Sequence, residues 1–312
     1  MTKETPTVQQ PRSAALIGSP EFRDEYLDFL ASRTGKTVYL KPYHGNSGDG
    51  LIWKGNELLI QRFGLIRVVD PGKASIILWP GGNPTMWNWN VDEWEDCWKR
   101  WPDAEFVVGP ATFHGNLHRW KERLRSSAGN VTALFARDRA SYATLTGLAL
   151  PLSTHLGMAH DPALHLRDSA WIREIRAAAT EDYILAAFRN DHEASRRLPE
   201  PKGPFRRWPM SAVHERRLAK MVRRLDLERI DRVRDLSPSP LPLIYEDVAL
   251  RSFESFVEKV TRAAVLHTDR LHTMILGVLL GKRVMAYQTA YSKLEEVYLH
   301  SMSEWADVTF HP

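Results

Sequence analysis

Short apolar runs recur along the chain, each closed by glycine, proline or a charge and followed by helical spacing. "TVYLKPY" (37–43), "SIILWPGG" (75–82), "EFVVGPAT" (105–112), "VTALFARD" (131–138) and "THLGMAHDPAL" (154–164) read as five strands. Helical patterns follow the first at 52–63 and the fourth at 139–147. The rhythm breaks near 166–180, where a polar connecting helix is expected. It restarts with strands at "YILAAFRND" (183–191), "AAVLHTD" (263–269) and "KRVMAYQ" (282–288). Helices are expected between and after them, at about 211–235, 253–261, 270–281 and 292–302, with loops at 199–210 and 237–242. Continuous apolar strands alternating with helices point to parallel sheets covered on both faces. The expected architecture is α/β, in two halves facing a cleft: a disordered tail over 1–13, one domain over 14–168 and a second over 169–312.

Composition changes this picture little. Of 312 residues, 43% are apolar and 26% charged, as in soluble globular proteins. The longest uninterrupted apolar stretch, Met274 to Leu280, is too short to span a bilayer, and the N-terminus has no charged segment leading into an apolar one. With Cys97 the single cysteine, no internal disulfide forms, and a cytoplasmic location is expected. Two features are less ordinary. Tryptophans cluster at 79, 87, 89, 94, 98 and 101, a run that could line a sugar cleft or form a core under a long loop. Residues 195–235 carry thirteen Lys/Arg against six Asp/Glu, a surplus larger than the net +4 of the whole chain. That segment reads as a solvated arginine-rich helix or, second, as a contact with an anionic membrane surface.

In such sheets ligands bind beyond the carboxyl ends of the strands. Those ends hold "HGNSGDG", "PGGN", "GPATFHG", "ARDRAS", "FRNDHE" and "HTDRLH", a set suited to a polar, anion-binding cleft. In "HGNSGDG" the glycines at 45, 48 and 50 would let backbone N–H groups approach a ligand at a helix start. No Gly-Lys-Ser/Thr follows, so a nucleoside triphosphate is not expected. Asn46 and Asp49 either bind acceptor hydroxyls or cap the helix beginning near Leu51. In "HTDRLH", Thr268 or Asp269 would cap a helix whose first turn presents Arg270 and His272. A guanidinium and an imidazole at that positive end suit a carboxylate or phosphate, and His272 could donate a proton. The competing reading pairs Asp269 with Arg270 or a neighbouring arginine as a structural ion pair. Lys293 offers a second cation, or is a plain helix lysine. Cys97, His114 and His118 make no metal-ligand spacing, and the zincin, CxxC and GxSxG motifs are absent.

The order "GNSGDG…WPGGN…VVGPATF…ARDRASY…DPAL…FRND…HTDRLHTMILGVLLGKRVMAYQ…K" resembles the polysaccharide pyruvyl transferases over about 38–300. The resemblance implies two Rossmann-like domains, similar to the B-type glycosyltransferases. It implies transfer of a carboxyethylidene group from phosphoenolpyruvate to two hydroxyls of a sugar, with release of phosphate, in exopolysaccharide biosynthesis. The Arg and His of the family's R-L-H motif, here Arg270 and His272, would meet phosphoenolpyruvate. On this reading residues 169–312 hold the donor with Arg189, His267 and Lys293 assisting. Residues 14–168 hold the sugar through Asn46, Gly48, His114 and Arg137, with Asp49 or His114 as base. The acceptor is a sugar or lipid-linked oligosaccharide, and neither cofactor nor metal is demanded. The alternative enzyme is a B-type glycosyltransferase using a nucleotide sugar. A third class is a non-catalytic surface binder acting through 195–235; nucleic acid is not an expected partner.

Overall fold

Eleven strands and nine helices alternate in the computed structural model, among the described residues 24–42, 45–84, 88–113, 122, 131–148, 150–151, 153–189, 212–288 and 292–311. The tail expected over 1–13, His114 and the loop over 199–210 lie outside them. The first sheet has the order β2-β1-β3-β4-β5-β6. Its strands are β1 Thr37–Leu40, β2 Ile66–Arg67, β3 Ile76–Trp79, β4 Glu105–Ala111, β5 Val131–Ala136 and β6 His155–Met158. The second has the order β11-β10-β9-β7-β8. It contains β7 Tyr183–Ala187, β8 Leu243–Tyr245, β9 Ala263–Thr268, β10 Arg283–Tyr287 and β11 Val308–His311. Every strand pairing is parallel. Two sheets of this kind give the two α/β halves that the apolar rhythm predicts and the paired Rossmann-like architecture that the resemblance implies.

The helices are α1 Glu25–Ala31, α2 Asp49–Arg62, α3 Asn88–Arg100, α4 Arg139–Thr146, α5 Ala170–Ala177, α6 Ala212–Leu236, α7 Phe253–Thr261, α8 Leu271–Leu279 and α9 Lys293–Ser301. None is long and apolar enough to cross a membrane. The expected strands all form. The sequence pattern missed α3 as well as α1, β2, β8 and β11; the last four are short and β2 is exposed. Central strands β3 and β7 are buried at every position because helices cover both faces.

The tryptophan run is core rather than a sugar cleft where it is described. Trp79, Trp94 and Trp98 are buried around Phe106, with Trp79 and Trp94 edge to face at 5.8 Å. No long loop carries the described part: Trp79 ends β3, and Trp94, Cys97 and Trp98 fall at the i, i+3, i+4 spacing of α3, with Trp101 one residue past its end. Trp87 lies outside the described residues.

Helix α8 is apolar all round, and every residue but Val278 is buried. It sits in a core shared by both halves of the chain. Leu51 of α2, together with Ala163, Leu164 and Leu166 of the 3-10 helix Pro162–Leu166, joins Leu271, Met274 and Ile275 of α8 in one cluster. That shared core holds the N-termini of α2 and α8 against each other.

Candidate active site

Helices α2 and α8 each follow a strand at its carboxyl edge, and their first turns meet. The close approach explains the glycines of "GNSGDG". A Cβ at Gly48 would lie 2.8 Å from His272 Cβ, and one at Gly50 would lie 2.4 Å from the Phe253 ring. These two positions therefore make room for the other half of the chain, where ligand approach had been expected. Ser47 fastens the same loop across the seam, its N–H and hydroxyl donating to the carbonyls of Ala249 (3.2 Å) and Val248 (3.0 Å). Within the loop, Asn46 Oδ1 accepts from Gly48 N–H (2.9 Å) and Asp49 Oδ2 accepts from Asn46 N–H (2.8 Å). Both side chains thus order the turn, while Asp49 Oδ1 faces His272 Nδ1 at 3.9 Å.

His272 stands between two carboxylates of the first half. On its other side Nε2 is 3.4 Å from Asp161 Oδ2 and, among the described residues, has no closer partner. Asp161 is fully buried and fixed: Arg137 Nη1 donates to Oδ2 at 2.6 Å and Ala163 N–H to Oδ1 at 3.0 Å. Burial alone would raise its carboxyl. Arg137, His272 and the Ala163 N–H more than offset that and hold it well below the usual carboxylate range. Arg137 Nε also reaches Thr112 Oγ1 (3.0 Å), whose hydroxyl donates to Asp138 (2.9 Å). Arg137 itself is 1% exposed, so it acts behind Asp161.

The segment before α8 departs from the expected cap. Strand β9 runs on to Thr268, and the N-cap is Arg270, with no side-chain cap bond. Thr268 Oγ1 accepts from Arg270 N–H (3.0 Å) and donates to Ala187 O (2.9 Å). The guanidinium of Arg270 grips Asp247 with Nε–Oδ1 at 2.7 Å and Nη2–Oδ2 at 2.6 Å. An Asp269–Arg270 pair does not form. Asp269 instead accepts the Arg189 N–H at 2.8 Å, and its buried Oδ2 has no hydrogen-bond partner among the described residues. Burial, only partly offset by that bond and by the Arg229, Arg189 and Arg270 charges, leaves its pKa pushed up to about 6.

The description of one protein family, polysaccharide pyruvyl transferase, matches residues 19–289, a span that takes in both facing turns. The chain belongs to this family. Among curated proteins no match was found. A solved, functionally uncharacterized protein of Klebsiella pneumoniae subsp. pneumoniae NTUH-K2044 is 18% identical, with a TM-score of 0.61. The likeness covers 92% of this chain and 97% of that one and shows a shared fold. Anabaena HepE, solved with UDP and glucose, scores 0.36 at 10% identity over 84% of this chain and 82% of its own. A family 9 glycosyl transferase from Veillonella parvula DSM 2008 scores 0.27 at 12% identity over 82% and 81%. Neither is similar enough to bear on this pyruvyl transferase.

Of the residues singled out from the sequence, the transferase brings Asn46, Gly48, Asp49 and His272 together, with Arg137 one step behind. Arg189 and Arg270 flank Asp269 at the same end of the second sheet. Lys293 opens α9, which follows β10 at that edge, and is buried. His267 stands apart: Ser237 Oγ (2.9 Å) and Tyr287 OH (2.8 Å) take both ring nitrogens. Burial, then His311 and Arg283, push its pKa down to about 4. Asp161 and Asp247 had not been singled out. The first lies within "DPAL", one of the pieces carrying the family resemblance; the second has no motif around it.

The basic helix is partly turned inward. Arg229 lies over the Phe188 ring (5.1 Å) and Arg232 over Tyr287 (5.2 Å), while Arg224 pairs with Glu228 on the surface.

Proposed function

We propose that the chain is a ketal-forming transferase that moves a carboxyethylidene group from phosphoenolpyruvate onto two hydroxyls of a sugar. The observation carrying this reading is the imidazole of His272 held at the start of an apolar helix, between carboxylates of the facing half. A proton passes from His272 to the methylene carbon of the donor, which becomes a methyl group and leaves positive charge on C2. One sugar hydroxyl bonds to C2 and loses its proton. The bond from C2 to the phosphate oxygen then breaks, its electron pair leaving with inorganic phosphate. The second hydroxyl bonds to C2 and loses its proton in turn. Of the two protons freed, one restores His272 and the other leaves with phosphate.

Arg270, its fork aligned by Asp247, grips the donor phosphate or carboxylate. Arg189 and Lys293 add positive charge from the same sheet edge, and His267 braces β9 from behind. Asp49 takes a hydroxyl proton, with Asn46, Gly48 and His114 on the sugar side and Arg137 supporting them through Asp161. Residues 14–168 thus serve the acceptor and 169–312 the donor. The acceptor class is a polysaccharide precursor, free or on a lipid carrier. Arginines of α6 that face outward, with the segment before them, would hold the enzyme at anionic headgroups.

Incubation with phosphoenolpyruvate and candidate glycans should add a ketal by mass and release inorganic phosphate. Release of a nucleotide from a nucleotide sugar instead would replace this reading with glycosyl transfer. A folded His272→Ala enzyme forming ketal at the wild-type rate would remove the acid assignment. Sedimentation unaltered by anionic vesicles would end the membrane contact.

A further inference from the structure

We infer that Asp161 is a positioning residue which fixes the tautomer of His272, keeping Nε2–H toward the interior and leaving Nδ1 as the nitrogen that handles the catalytic proton. The inference rests on His272 carrying that proton, as proposed above, and adds which atom does so and what decides it.

The geometry is asymmetric about the ring. On the Nε2 side the partner is a side chain with no exposure, Asp161, at 3.4 Å. On the Nδ1 side the partner is Asp49, with 19% of its side chain exposed, at 3.9 Å. A substrate therefore reaches the ring from the Nδ1 side. Asp161 has nothing else to do with its second lone-pair direction on Oδ2, since Arg137 takes one and Ala163 N–H is served by Oδ1. An anion locked by a buried guanidinium is an acceptor only, so the neutral ring must present a proton to it. That leaves the lone pair of Nδ1 toward the cleft, and the imidazolium carries its transferable proton there. A long contact at 3.4 Å is the kind that shortens when a ring becomes charged.

The charged groups facing the ring come from each element around it. Asp49 opens α2, Asp161 precedes the 3-10 helix, and Arg137 follows β5 behind Asp161. On its own element, Arg270 is turned onto Asp247 and Asp269 is bound to the backbone of Arg189.

The test is a histidine-selective 15N spectrum of the full chain, with His272 assigned by its loss in His272→Gln. The expected neutral form is the Nε2–H tautomer; an Nδ1–H tautomer in the wild type overturns the inference outright. In Asp161→Asn the tautomer should become mixed. The alkaline limb of kcat/KM should drop by about one pH unit, with activity at least about tenfold lower. A merely structural Asp161 would change the melting temperature without moving tautomer or limb, and that result also overturns the inference. If Asp161→Asn does not fold, the wild-type tautomer decides alone. If His272→Gln makes ketal at full rate, the acid assignment fails, while the spectrum still reports separately on Asp161.

Discussion

His267 and Asp269 lie two residues apart, both buried, and titrate in opposite senses. The Asp269 pKa is raised from 3.8 to about 6, so the folded chain holds that proton more tightly than the unfolded one. Its contribution to stability is full at low pH and is lost as pH rises to about 6. The His267 pKa is lowered from 6.5 to about 4, so the fold favours the neutral ring. Its contribution is full above 6.5 and is lost as pH falls to about 4. Each shift corresponds to about 3 kcal/mol, so between pH 4 and 6 the two slopes nearly cancel. Asp269→Asn keeps an oxygen for the Arg189 N–H and removes the charge. Thermal melts of that variant should start higher than wild type at pH 8 and fall more steeply toward pH 4. Parallel curves for the two proteins would show that Asp269 is not strained in its charged form. Gly48→Ala is the complementary change at the site. Its methyl would press on His272 Cβ and Nδ1, at 2.8 and 3.2 Å. The expected result is a loss of transferase activity of about 100-fold from a displaced ring, with at most about 1–3 kcal/mol of stability lost. Full activity in a variant that melts like wild type would show that the contact yields freely.

Helix α2 is the element that sets this geometry, because its far side rests on backbone. A Cβ at Gly55 would lie 2.1 Å from the Pro162 carbonyl oxygen, which no side-chain rotation relieves. Gly55→Ala should cost about 3 kcal/mol in denaturant unfolding and separate Asp49 from Asp161. A cost below 1 kcal/mol would mean that the 3-10 helix moves with ease. Loss of the Ser47 hydroxyl, by contrast, should cost about 1 kcal/mol, the ordinary worth of one buried hydrogen bond. The periodicities that build elements are local, so the strands, α8 and the turn before α2 were legible from the chain. So were Arg270 and His272 as neighbours at a helix start. Long-range partners were not. Asp161 reaches a residue more than a hundred positions away, and Arg270 meets Asp247 across an intervening helix; no spacing rule encodes either pair. The glycines of "GNSGDG" announced a close approach without saying that His272 and Phe253 were what approached. In the tryptophan run, aromatic abundance drew attention from an i, i+3, i+4 stripe that was already helical.

Across the whole molecule, the main interior does not respect the division into two sheets. Leu51 and Ala163, Leu164 and Leu166 come from the first half of the chain, yet pack with α8 of the second. The last helix returns the favour, Ser301 bonding His160 at 2.9 Å after β6. The two sheets should therefore unfold together. Scanning calorimetry is expected to give one transition with equal calorimetric and van't Hoff enthalpies. Two resolved peaks would show that the shared cluster contributes little. The same cluster bears on how such enzymes diversify. Importing a foreign first half would cut through this joint interior and leave α8 facing unfamiliar side chains. Recombination between relatives should succeed only when α2 and residues 160–166 travel with the second half. New sugar preferences would otherwise arise by drift in surface turns rather than by wholesale exchange of halves.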